Sequence, residues 1–176
     1  MDQKNPTKFY SSKQEHMIAD YLGWDVVSGS GARSFHPGDI RSDSFLGECK
    51  TYTEVSDTIH CKYAVWDKIA AEARSVFKTP VLFLDNGSQK PEHTWCVVPM
   101  SYIKSVPNFY EMDRPLPNPS FRILKTQVSF KHTAVLSIFK SETYKDLIAG
   151  ISFKIGSTDV VLVRLETFRK IIHSDY

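Results

Sequence analysis

Cysteine is scarce: the 176-residue chain has only Cys49, Cys61 and Cys96, with no C-x-x-C pair and no histidine at zinc-finger spacing. That argues against a disulfide-stapled fold or a structural zinc module, and a reducing compartment is the simplest reading. Long apolar runs are missing too. Nothing approaches the roughly 18 residues of a membrane span, and the first thirty residues lack the basic, apolar, then small-residue order of a secretory leader. The expected location is the cytoplasm, with no membrane partner. Net charge is only +2, yet it is unevenly spread: residues 1–119 carry 13 Lys/Arg against 15 Asp/Glu, and residues 120–176 carry 9 against 5. An acidic front suits a carboxylate metal site and a basic tail suits phosphate contact, although a solvated face explains either equally well.

What is present is enough for one compact domain, with 41% hydrophobic and 24% charged residues. At this length a folded chain buries about 70% of its unfolded surface, so any metal would be functional rather than structural. Ser11 and Ser12 open a helical pattern with Ile18 and Leu22 on one face, ending near Gly23. Trp24 to Val27 reads as a strand, followed by the Ser28-Gly29-Ser30-Gly31 loop. Asp39 to Arg41 and Phe45 to Thr51 form a hairpin about Ser42-Asp43-Ser44. Ile59, Tyr63, Trp66, Ala70, Ala73 and Phe77 alternate at spacings of four and three, which predicts a one-sided helix. Val81 to Leu84 and Trp95 to Val98 are strands, and Tyr102 to Val106 a helical turn.

Pro107, Pro115, Pro117 and Pro119 mark a connector over residues 107–120, separating a core of residues 1–106 from an extension of residues 121–176 packed on it. In the extension, Phe121 to Phe139 reads as strand-rich, Glu142 to Ala149 as a helix, Ile151 to Ile155 and Asp159 to Leu165 as strands, and Glu166 to His173 as a closing helix. Val161-Leu162-Val163 with Phe168 and Lys170 faintly echoes Val97-Val98 with Tyr102 and Lys104, too loosely to establish a repeat. The expected class is α/β: a mixed β-sheet flanked by helices, with a strand-rich C-terminal extension.

The chemistry concentrates in Pro37-Gly38-Asp39 and Glu48-Cys49-Lys50. Alternate strand residues share a face, so Glu48 and Lys50 point one way and Phe45, Gly47 and Cys49 the other. Across the hairpin, Asp39 can converge with Glu48 on one cation beside Lys50. Phosphodiester hydrolysis asks for such groups: carboxylates hold a hard divalent cation and a lysine orients or helps deprotonate water. Magnesium suits the set best, the Cys49 backbone carbonyl serving as a third ligand. A solvated strand face and a turn aspartate are the competing explanation. Glu15 shares the Ile18 and Leu22 face, and it is either an acidic group of the site or the partner of Ser12 in a capping box.

This ordered set resembles the PD-(D/E)XK nuclease superfamily, and within it the archaeal and phage Holliday-junction resolvases, over about residues 9–105. Gly38, standing between Pro37 and Asp39, departs from the family pattern. The resemblance implies a restriction-endonuclease-like fold and a magnesium-dependent DNA endonuclease, manganese substituting. It implies Asp39 and Glu48 as metal ligands, Lys50 as catalytic lysine, Glu15 as an additional acidic residue near the metal, and a glycine-loop serine, Ser30 before Ser28, in the site. Arg33 and His36 fall where such enzymes meet the DNA backbone. Four-way junctions as substrate, a homodimer and a phage-encoded origin fit the resemblance. A restriction-type or end-processing nuclease, or a non-catalytic nucleic-acid-binding module of the same fold, are the alternatives.

Overall fold

The computed structural model describes residues 6–28, 36–112 and 120–173. The chain is α/β. It begins with α1 (Pro6–Leu22), followed by β1 (Asp25–Val26), β2 (Ile40–Arg41), β3 (Phe45–Lys50), β4 (Thr58–Lys62), α2 (Tyr63–Ser75) and β5 (Thr79–Asp85). A 3-10 turn (Pro91–His93) leads to β6 (Thr94–Pro99), α3 (Met100–Ile103), β7 (Phe109–Glu111), β8 (Phe121–Ile123) and β9 (Gln127–Lys131). The last elements are α4 (His132–Phe139), β10 (Ile148–Ile155), β11 (Thr158–Arg164) and α5 (Leu165–His173).

Eight strands form one mixed sheet in the order β1-β2-β3-β5-β6-β11-β10-β7, and β4-β9-β8 form a second, smaller sheet. The large sheet is covered on both faces. Ile18 and Leu22 of α1, Ile103 of α3 and Phe168 of α5 pack on one face with Phe45, Phe83 and Val98. Trp66 and Ile69 of α2, Val135 of α4, and Ile59 and Phe130 of the small sheet pack on the other with Leu46, Leu82 and Val97. Strands buried on both faces lose the alternation of a half-solvated strand, and five of the six β3 residues are buried.

An approximate two-fold axis runs between β6 and β11. These two strands pair antiparallel, Val97 opposite Leu162 and Val98 opposite Val161, and each is the second strand of a hairpin that leads directly into a helix. β3 lies parallel beside β5 as β7 lies parallel beside β10. β4 followed by α2 matches β9 followed by α4, and β4 and β9 pair antiparallel with Thr58 opposite Lys131 and Lys62 opposite Gln127. The faint Val97/Val161 echo therefore lies at the axis. Strands of the 121–176 segment enter the same sheet as those of the first 106 residues.

Four elements differ from the sequence expectation. α1 starts at Pro6, not Ser11: proline is well suited to a first helical position, lacking an N–H there costs nothing, and the two serines fall inside the helix. Ile59 belongs to β4, and Phe77 lies beyond α2 at φ 56° and 99% exposure, so the helix buries Trp66, Ile69 and Ala73. His132–Phe139 is helical rather than strand, a short apolar run whose periodicity is ambiguous. Residues 142–146 form turns, and β10 starts at Ile148.

Candidate active site

β3 and β5 run parallel through the α2 crossover, so their carboxyl ends open at one edge, where α/β folds commonly place ligands. Asp39 is fixed there by backbone on both sides. The Val27 N–H donates to its carbonyl at 2.8 Å, and its own N–H donates to the Gly47 carbonyl at 2.8 Å. Gly38 before it sits at φ +72°, and a Cβ there would lie 2.8 Å from the Leu46 side chain, so only glycine makes this turn. The extra glycine between Pro37 and Asp39 thus has a steric cause.

The Asp39 carboxylate accepts the Cys49 N–H through Oδ2 at 2.8 Å. The N–H and carbonyl of a strand residue leave along the same edge, so the Cys49 carbonyl emerges beside Asp39. Its thiol faces the core instead, and burial pushes it well above the usual thiol range, so Cys49 offers only backbone. Glu48 lies on the α2 side with its side chain 5% exposed; Lys50 Nζ stands 2.6 Å from Oε1 and Lys68 Nζ 3.4 Å from Oε2. Lys68 also reaches Glu72 at 3.8 Å, and Glu72 in turn accepts the Gly38 N–H at 3.1 Å. The close Lys50 pairing, with the longer Lys68 contact, offsets the desolvation of this buried carboxylate.

Electrostatics links the carboxylates. Burial and then the charge of Glu48 raise the Asp39 carboxyl, against the Cys49 N–H, which lowers it. Burial lowers Lys50, but the hydrogen bond and charge of Glu48 outweigh it and leave the ammonium above its usual range. Glu15 comes from α1, packed on the opposite face; burial and then Asp39 raise its carboxyl to about 7. With Ser12 inside the helix, the capping box has no place.

The expected site residues separate into three groups. Glu48 and Lys50 pair at the end of β3, Asp39 is bound to the intervening Cys49 N–H, and Asp39 and Glu15 lie within electrostatic reach of that pair. Ser28 and His36 are exposed at the margins of the glycine loop. Ser30 and Arg33 lie outside the described residues.

Sequence reasoning missed Lys68, Glu72 and Asp85. The first two form an i, i+4 pair on one flank of α2, a weak signal that a solvated helix face also gives. Asp85 is wholly buried, accepting the Thr51 hydroxyl at 2.6 Å and the N–H groups of Gly87 and Gln89. Gln89 Nε2 donates to the Tyr10 carbonyl and Gln14 Nε2 to the Lys50 carbonyl, tying α1 to the ends of β3 and β5. These ties hold the Lys50–Thr51 backbone in place.

Oxygen donors from two adjacent strands, Asp39 and Glu48, plus the Cys49 carbonyl suit a hard divalent cation that keeps several waters. Among the described residues no three His, Cys, Asp or Glu side chains form a metal-binding group, so Glu15 is not drawn into a three-carboxylate cluster. Compared with protein-family models, curated proteins and solved structures, the chain matches none. No helix among the described residues is long and apolar enough to cross a membrane.

Proposed function

We propose that this chain is a magnesium-dependent DNA endonuclease of the PD-(D/E)XK type, with a restriction-endonuclease-like core and an active site of Asp39, Glu48 and Lys50. One observation carries the reading: Lys50 pairs with the buried Glu48 at the carboxyl end of β3, and Asp39, just before β2, bonds the Cys49 N–H between them and lies within electrostatic reach of both. Asp39, Glu48 and the Cys49 carbonyl would hold magnesium, or manganese in its place, which supplies charge neutralisation at the phosphate and a more acidic water. Lys50, held as an ammonium by Glu48, would orient the attacking water and offset negative charge at the phosphate. Lys68 adds positive charge on the α2 side for phosphate oxygens. Glu15, its carboxyl raised to about 7 by burial and the Asp39 charge, would exchange a proton with solvent near neutral pH beside the site. Branched DNA such as a four-way junction is the proposed substrate. A homodimer supplies the two sites that cutting two symmetric strands requires.

The test incubates the protein with a four-way junction, a linear duplex, a single strand and a plasmid, with magnesium or EDTA. Asp39→Ala and Lys50→Ala proteins run alongside. Magnesium-dependent cutting abolished by both substitutions is expected; cutting that survives both removes the site. Plain duplex cut as readily as the junction removes the branched substrate.

A further inference from the structure

Beside the candidate active site lies a cavity of about 280 Å³ that none of the groups discussed so far fills. Lys50 and Tyr52, from the end of β3, form one side, and Ile59 and Val65 contribute apolar surface. His60 and Lys62 of β4 also line it, as do Leu82, Leu84, Thr51 and Asp85, whose carboxylate is held by the Thr51 hydroxyl and the Gly87 and Gln89 N–H groups. A dry cavity of roughly 150 Å³ lined by apolar side chains accommodates benzene, so this space admits a heteroaromatic ring with its sugar.

His60 and Lys62 belong at the same time to the outward face of the β4-β9-β8 sheet. The pairing register places Thr58, His60 and Lys62 opposite Lys131, Ser129 and Gln127, with Arg122 beside Ser129, all on one side. Ile59, Cys61, Val128 and Phe130 point to the core on the other. The outward face thus carries Lys62, Lys131 and Arg122, all exposed, around His60, whose Nδ1 lies 2.8 Å from the Ser129 hydroxyl. Lys131 Nζ donates to the Thr58 hydroxyl. The neighbouring carboxylate, Asp57, accepts the Thr133 N–H and hydroxyl at the sheet's corner and lies within electrostatic reach of Lys131. Two of the three cations, Arg122 and Lys131, come from the basic C-terminal part of the chain.

We infer that this sheet face and the cavity together bind an unpaired DNA strand, its phosphates on Lys62, Lys131 and Arg122 and one base in the cavity next to Lys50. A base inside a duplex cannot enter such a cavity without leaving the stack, and single strands are held by a basic track plus a surface that accepts a base regardless of sequence. The inference rests on the nuclease reading for the identity of its ligand as DNA. It narrows the substrate to DNA with an unpaired strand adjoining the cut, as at a fork, flap or opened branch.

Binding is measured in EDTA, so it does not depend on cutting. Fluorescent forked DNA, a single strand and a blunt duplex are titrated against the wild-type chain and against a Lys62→Ala/Lys131→Ala/Arg122→Ala variant. Tighter binding of fork and single strand than of blunt duplex is expected, and the triple variant should lower the slope of log affinity against log salt by about 2. The cavity is probed without altering the protein, by moving one abasic site along the unpaired arm; a single position should lose on the order of tenfold in affinity. Equal binding of blunt duplex, an unchanged salt slope, or indifference to every abasic position overturns the inference. If these results hold while magnesium brings no cutting, the catalytic reading fails and this surface stands. Magnesium-dependent cutting without them removes this surface and leaves the catalytic reading in place.

Discussion

Replacing Glu15 with Gln should make the protein more stable at pH 8 and leave it nearly unchanged at pH 5. Burial and then the Asp39 charge raise the Glu15 carboxyl from 4.5 to about 7 in the folded chain. Between these values the folded state keeps a proton that the unfolded state has lost, so stability falls as pH rises through that window and stays lower above it. Each tenfold change in proton affinity corresponds to about 1.4 kcal/mol, but Glu15 is only half-buried and solvent screens it, so the loss by pH 8 is about 1–2 kcal/mol. For a chain of this size that moves the melting temperature by about 2–8 °C. Thermal melts in EDTA from pH 5 to 8, wild type against Glu15→Gln, read it directly. Parallel curves, or a Gln variant less stable at pH 8, would refute the argument that burial against Asp39 governs this carboxyl. Repeating the melts in magnesium adds a second readout: the gap closes if the anion is needed near the cation and persists if Glu15 stands apart.

Lys68→Met should change stability by less than about 1 kcal/mol, because its side chain is more than half exposed, the pair is screened and Lys50 still neutralises Glu48. The same change should lower the magnesium concentration that half-saturates cutting, since a cation competing for Glu48 is gone. Phe77→Gly should stabilise by about 0.5–1 kcal/mol in denaturant melts, by relieving a left-handed backbone at a side chain that touches almost nothing. Asp85→Ala strands the Thr51 hydroxyl and the Gly87 and Gln89 N–H groups and should cost about 3 kcal/mol or more. Its cutting rate should also fall as the end of β3 loosens.

The β2–β3 hairpin and the shared face of Glu48 and Lys50 were readable because both are local: a polar three-residue turn and period-two alternation need no distant partner. Asp39's position followed from the same hairpin. β4 was not readable, since Ile59 and Tyr63 are spaced like helix neighbours and the strand exists by pairing with β9, far along the chain. Asp85, the last residue of β5, was not readable as a site residue, because its hydrogen bonds run to Thr51 on a neighbouring strand end and to the Gln89 N–H beyond the turn. The helical start at Pro6 was hidden by the two serines, better capping residues than proline is a signal. Lys68 could be assigned to the site only once α2 was seen to lie across β3.

The position of β11 at the middle of the sheet has a consequence for synthesis. β6 and β10 both pair with β11, yet roughly sixty residues separate Pro99 from Thr158, and a ribosome needs on the order of 3–12 s to add them. During that interval β6, with Trp95, Cys96, Val97 and Val98 in a row, presents an open apolar edge of the kind that recruits other chains. Until its last strand arrives the sheet is split at its centre, and truncations that remove β11 should be recovered as aggregates.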